Sequence, residues 1–173
     1  MNSDLVIKQT LIGRGPLVLL RPIFISILTL FLSCSTNVEN RNRAIGVKYF
    51  EEVWNKGNIQ VLDTILTADY KNHTPSVPTI DGPAGLKPIV LAIRKAFPDL
   101  KFEIKEVIAT EGFVTIRTVM TGIQSDTLFG QPPTNKKIAV NQINIEKIRD
   151  GKIAEHWRVT DELTMLRQLG LVK

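Results

Sequence analysis

The chain has one cysteine, two histidines and only 6% aromatic residues in 173 positions. A lone thiol, Cys34, excludes any intrachain disulfide, so oxidative stapling contributes nothing to its stability. Two histidines, His73 and His156, with no cysteine beyond residue 34 and scattered carboxylates, form no group with metal-ligand spacing. A Gly-rich phosphate loop and a nucleophile elbow are both lacking. The sequence therefore implies neither a metal nor another cofactor. It also lacks a basic cluster interleaved with aromatics. The formal net charge is +5, but residues 34–173 carry only 19 basic against 16 acidic side chains. So small an excess gives no electrostatic footprint for nucleic acid, which is not expected as a partner.

Long hydrophobic runs are equally scarce. The one candidate, Pro22 to Ser33, follows Lys8, Arg14 and Arg21 and ends at Cys34. Twelve helical residues rise about 18 Å, too little for a hydrocarbon core of roughly 30 Å. A basic segment before a short apolar one is the pattern of a secretory signal peptide, here residues 1–33. The run FLSC with Ser35 resembles a bacterial lipobox, which implies lipidation of Cys34 and an exported lipoprotein anchored in a bacterial cell envelope. An uncleaved anchor and an upstream extension with a free thiol are the alternatives. Residues 34–42 read as a polar tether and 43–173 as the folded domain.

From about Arg41 a helix is expected, because Ile45, Tyr49, Phe50, Val53 and Trp54 recur at three- and four-residue spacing. Gly57 suits its left-handed end. A short second helix carries Ile59, Leu62, Ile65 and Leu66 on one face, and residues 69–73 read as a short extended segment. Pro83 opens a third helix, Ala84 to Phe97, stopped by Pro98-Asp99. Four strands follow at Leu100–Ala109, Phe113–Thr121, Lys137–Ile148 and Lys152–Thr160, with turns at Glu111-Gly112 and Asp150-Gly151. Helices followed by a meander predict an α+β fold, with a cone-shaped, curved antiparallel sheet packed against three N-terminal helices and a short C-terminal helix. In the last strand, alternation puts Ile153, Glu155, Trp157, Val159 and Asp161 on the core face and Ala154, His156, Arg158 and Thr160 on the other.

The blocks YFEEVWNKGN, VLDTILTADYKNHTP, GPAGL, IRKAFPDL, FGQPPTNKK and RDGKIAEHWRVTDELTMLRQLG, in this order, resemble the SnoaL-like polyketide cyclase (ester cyclase) family of the nuclear transport factor 2-like fold. The chain has Gln124 where relatives often carry histidine, and Asn135 where many carry glycine. The resemblance implies a cofactor-independent acid/base catalyst closing a ring by intramolecular aldol addition on a small hydrophobic carbonyl substrate, and a homo-oligomer. It implies Asp161 as the base and His73 as its partner. Two roles stay open for Asp161, since Asp161-Glu162 before an apolar helix also suits an N-cap, whose lowered pKa would make it a poorer base. His73 is equally compatible with a hydrogen bond at a strand end. Tyr49, Trp54 and Trp157 are candidates to contact a flat ligand, or core residues, and Arg117 a candidate ligand contact or surface ion pair. A non-catalytic envelope-anchored binding module, and a hydrolase or dehydratase on the same scaffold, are the competing functions.

Overall fold

The structure, a computed structural model, describes residues 37–173. The expected signal peptide, the lipidation site Cys34 and the start of the tether lie outside the described residues. Helix α1 already runs at residue 37, ahead of the expected start near Arg41. Asn42 fixes this stretch by donating to the carbonyls of Thr110 and Glu111 at 2.8 and 3.0 Å. From Tyr49 to Asn55 the helix widens into a π-helical turn, whose Tyr49, Phe50, Val53 and Trp54 are all buried. Such turns crowd bulky side chains onto one face and recur at functional sites. Gly57, at φ 75°, ends the helix in the left-handed conformation.

A 3₁₀ turn, Ile59–Val61, leads into α2 (Leu62–Ile65). Leu66, expected on that helix, instead opens strand β1 (Leu66–Asn72) and is buried there. Helix α3 (Pro83–Ala96) buries Leu86, Ile89, Val90 and Ile93. Gly82 precedes it at φ 82°, where a Cβ would lie 2.6 Å from the Ala68 carbonyl oxygen. Strands β2 (Lys101–Ala109), β3 (Phe113–Ile123), β4 (Lys137–Arg149) and β5 (Lys152–Thr160) and helix α4 (Glu162–Leu169) complete the order.

The α+β expectation holds, with one addition to the sheet. Its order is β1-β5-β4-β3-β2. All neighbours pair antiparallel except β1, which adds a parallel edge beside β5. The curved sheet wraps α1 and α3. Val114, Ile116, Ile138, Val140 and Ile153 face the helices, against Tyr49, Phe50, Val53, Val90 and Phe97. Within this core Tyr49 meets Phe50 and Trp54 edge-on, with centroids 5.3 and 6.2 Å apart.

The expected face of β5 is corrected by its register. Lys147 pairs with Glu155, but the adjacent Ile148 pairs with Ile153, so Ala154 is an extra, bulged residue. Ile153 and Ala154 are consequently both buried. A one-residue bulge reverses the faces of everything beyond it. His156 turns inward and is 4% exposed, whereas Val159 turns outward and is 72% exposed.

Candidate functional site

The enclosed side of the sheet holds two adjoining cavities that share Gln142 and Arg158. The deeper, of about 10 Å³, is lined by Tyr49, Trp54, Asn144 and His156 among others. The outer, of about 70 Å³, is bounded by Ile93, Phe97, Met120, Phe129 and Met165, with Ser76, Thr160 and Glu162 towards its mouth. Its wall is mainly apolar, with polar groups concentrated where the two spaces meet.

Strand β4 delivers most of those polar groups. Ile138 and Val140 point inward, so the same parity carries Gln142, Asn144 and Glu146 inward, and all five are buried. Asn144 donates to the Ile116 carbonyl and to Thr118 Oγ1, both at 3.4 Å. Glu146 is fully buried, and its Oε1 lies 2.8 Å from His156 Nδ1. Glu146 Oε2 and the Tyr70 hydroxyl are buried without a hydrogen-bond partner among the described residues. Leaving a buried polar atom unpaired costs about 1–3 kcal/mol, so the arrangement calls for an explanation beyond folding. Burial, reinforced by the Glu146 charge, pushes the pKa of the Tyr49 hydroxyl well up, which keeps it a hydrogen-bond donor. Tyr70 is raised by burial in the same way.

Arg158 enters from β5, inward because of the bulge. It is half-buried, its Nη2 donates to Ser76 Oγ at 3.0 Å, and its backbone N–H donates to Thr74 Oγ1 at 2.8 Å. The loop after β1 thus steadies the one guanidinium that lines both cavities.

The residues expected at the site divide between two sides of the sheet. Tyr49 and Trp54 lie inside, where the deeper cavity is. Trp157, Glu155 and Val159 are placed outside by the bulge, correcting the expected core face. Trp157 stacks on His73, with centroids 4.5 Å apart and planes 5° from parallel. His73 is exposed at the end of β1, with Nε2 2.8 Å from Glu155 Oε2, which also accepts from Lys147 through its other oxygen at 2.7 Å. Arg117 is on the outer face and donates to Glu106 at 3.1 Å. Asp161 is exposed and caps α4, accepting from the Thr164 N–H at 3.1 Å. Hydrogen bonds from the Thr164 side chain and backbone hold its carboxyl below the usual range. Neither Asp161 nor His73 lines either interior cavity, and no hydrogen bond joins them among the described residues. His156, assigned by simple alternation to the far side, is the histidine inside.

Gln124 is fully buried and organises the long β3–β4 connection. Its amide donates to the Pro132 carbonyl at 3.1 Å and its oxygen accepts from Thr134 Oγ1 at 2.8 Å. Asn135 adopts the left-handed conformation at φ 56°.

A curved, unclosed five-stranded sheet with helices on its enclosed side is consistent with the nuclear transport factor 2-like fold, and comparison with known proteins gives the family. The model of the SnoaL-like polyketide cyclases matches residues 44–169, and the chain belongs to that family. It is similar to nogalonic acid methyl ester cyclase of Streptomyces nogalater, at 30% identity over 68% of this chain and 89% of the relative. Aklanonic acid methyl ester cyclase DnrD of Streptomyces peucetius is 27% identical over 72% of this chain and 88% of its own. Among solved structures, TsrD of Streptomyces laurentii superposes with a TM-score of 0.71 at 23% identity, covering 77% of this chain and 97% of that one, a likeness of fold.

Proposed function

We propose that this chain is a cofactor-independent cyclase whose proton transfers are carried out inside the cone by His156. The observation that carries the reading is the buried Glu146–His156 pair beside a cavity. Glu146 engages Nδ1, which leaves Nε2 as the nitrogen able to accept a proton from a ligand in the cavity. A methylene between two carbonyls is already acidic, so a well-placed imidazole suffices to deprotonate it. The resulting enolate carbon attacks a second carbonyl carbon of the same molecule, forming the ring bond. The alkoxide then takes back the proton from His156, and no oxidant or cofactor enters the balance. Tyr49, protonated at any ordinary pH, is placed to donate a hydrogen bond to a developing oxyanion.

The relatives named above are cyclases of acid methyl esters. That supports an activated, cyclisable carbonyl compound as the substrate class here. The interior spaces of about 70 and 10 Å³ favour a small substrate, because sites for drug-sized ligands run to about 300–1,000 Å³. The competing base, Asp161, is tested by the same experiment. With a one-ring 1,3-diketone bearing a further carbonyl, His156→Gln is expected to slow cyclisation by about 10²–10⁴-fold while Asp161→Asn keeps it. The reverse result would return the role to Asp161.

One observation favours a second reading. The lowered carboxyl of Asp161 suits a cap better than a base, and if the native chain binds the diketone without turning it over the cone is a binding module. Two features of the surroundings complete the proposal. A second copy of the chain covers the outer sheet face, where Ile143, Ile145 and Val159 are exposed. Cys34 carries a lipid that anchors the protein in a cell envelope, and metabolic labelling with a fatty-acid probe, lost in Cys34→Ser, is the expected outcome.

A further inference from the structure

Arg158 brings a cation to the junction of the two cavities, and among the described residues no carboxylate forms an ion pair with it. Its Nη2 donates to the Ser76 hydroxyl, and a guanidinium has five N–H donors, more than that contact uses. Burial dominates the raised pKa of Tyr49 and of Tyr70, and Arg158 is among the groups that oppose it, so its charge is felt at both hydroxyls. Phe97, Met120 and Ile93 on the cavity wall offer the guanidinium nothing to bond. Glu162, at the mouth, is exposed to solvent and so screened. The buried acid, Glu146, is bonded through Oε1 to His156 Nδ1. While His156 is neutral and able to act as a base, the Glu146 carboxylate and the Arg158 guanidinium balance, and a neutral substrate meets no excess charge. Proton transfer redistributes charge without changing the sum. The proton arrives on the imidazole, beside Glu146, which neutralises it. The negative charge is left on the substrate, beside a cation with no acid of its own.

We propose that Arg158 is a second catalytic residue, which grips both oxygens of the enolate formed when His156 removes a proton from a 1,3-dicarbonyl substrate. This rests on the reading that the interior is the reaction site. In that step the methylene C–H bond breaks, its proton goes to His156 Nε2, and its electron pair spreads over the two carbonyl oxygens. In a U-shaped dicarbonyl chain these oxygens point the same way, and parallel N–H groups of the guanidinium fork reach both. The grip is weaker on the neutral substrate, whose oxygens carry only partial charge, so it favours the enolate over the compound from which it forms. As the ring bond is made, the pair leaves these oxygens and the charge passes to the second carbonyl, whose alkoxide Tyr49 is placed to meet. The two donors thus serve successive charges. The substrate class this implies is neutral, a 1,3-diketone or a 3-keto ester, because either supplies the paired oxygens and a lone ketone does not.

The test uses a probe that ionises but cannot cyclise, 1,1,1-trifluoropentane-2,4-dione, followed by fluorine NMR with the full chain as pH is raised. Bound to the native protein, it is expected to be at least about tenfold more acidic than free in solution, because charge-assisted bonds favour the enolate. Arg158→Gln should lose that gain while still binding the neutral probe at acid pH, which also shows the variant to be folded. Arg158→Lys should keep part of it, since it retains the charge and loses the fork. Cyclohexane-1,3-dione, whose ring holds its oxygens apart, should gain less than the open-chain probe. In turnover, Arg158→Gln should lower kcat with KM little changed. No binding of the open-chain probe, no gain in its acidity, a gain that survives in Arg158→Gln, an equal gain for the cyclic dione, or an effect on KM alone would each overturn the proposal. Its failure is separable from that of the catalytic reading. A gain in acidity without any His156-dependent turnover sinks only the base, and His156-dependent turnover without the gain sinks only the role of Arg158.

Discussion

Glu146 is the residue whose placement most needs a reason. It is fully buried, pairs through one oxygen with His156 and leaves the other unpartnered. Replacing it by Gln keeps an acceptor for His156 and removes the charge. The melting temperature of Glu146→Gln is therefore expected to stay level or rise while cyclisation falls through kcat, with KM little changed; thermal denaturation and steady-state kinetics read the two effects separately. Asp161 is expected to behave in the opposite way. Its carboxyl is depressed in the folded chain, so its contribution to stability is complete above the unfolded carboxylate value, about 3.9, and is lost as pH falls through the lower folded one. Asp161→Ala should lower the melting temperature by a few degrees near neutral pH and lose that difference in strong acid, whereas Asn, which also caps, should restore most of it. An Asp161→Ala chain that melts like the native one at pH 7 would contradict the capping role.

At the level of elements, most of the architecture was legible because periodicity and turns agreed. The α1 stripe, the Gly57 stop, the Pro83 start and the two Gly-containing turns all stand where sequence pattern puts them. The candidate site was legible only in part. Tyr49 and Trp54 followed from helical spacing, but Glu146, His156 and Arg158 depended on parity along strands. For β4 the signal was present: once Ile138 and Val140 are set inward, Gln142, Asn144 and Glu146 must follow them, and Ile143 and Ile145 must face out. That reads as an inverted pattern, polar inside and apolar outside, which is why composition by face misleads. For β5 no sequence signal marks Ala154 as bulged, since alanine fits either side of a sheet. The β3–β4 connection was legible as a loop, but the part played by Gln124 was not. Gln124→Ala removes its hydrogen bonds to Pro132 and Thr134 and should raise amide exchange across residues 125–135 while leaving exchange in β3 and β4 largely as it is.

For the whole molecule, the sheet separates two surfaces of opposite character. The enclosed side gathers Glu146, His156 and Arg158, while the outer side shows Ile143 at 48%, Ile145 at 37% and Val159 at 72% exposure. Apolar residues left together on an open sheet face are a natural contact for another copy. Ile143→Lys with Val159→Lys is expected to shift sedimentation from dimer to monomer without altering ligand affinity in the interior, and a native chain that sediments as a monomer would end that part of the proposal. The division between the two surfaces depends on Ala154, and this makes the hairpin a place where specificity can change abruptly in descent. Losing or gaining one residue there would offer the ligand Trp157 and Glu155 in place of His156 and Arg158, with no side chain replaced. Two relatives that match letter for letter in this strand could therefore present different chemistry, and an alignment drawn without a gap at that point would conceal it.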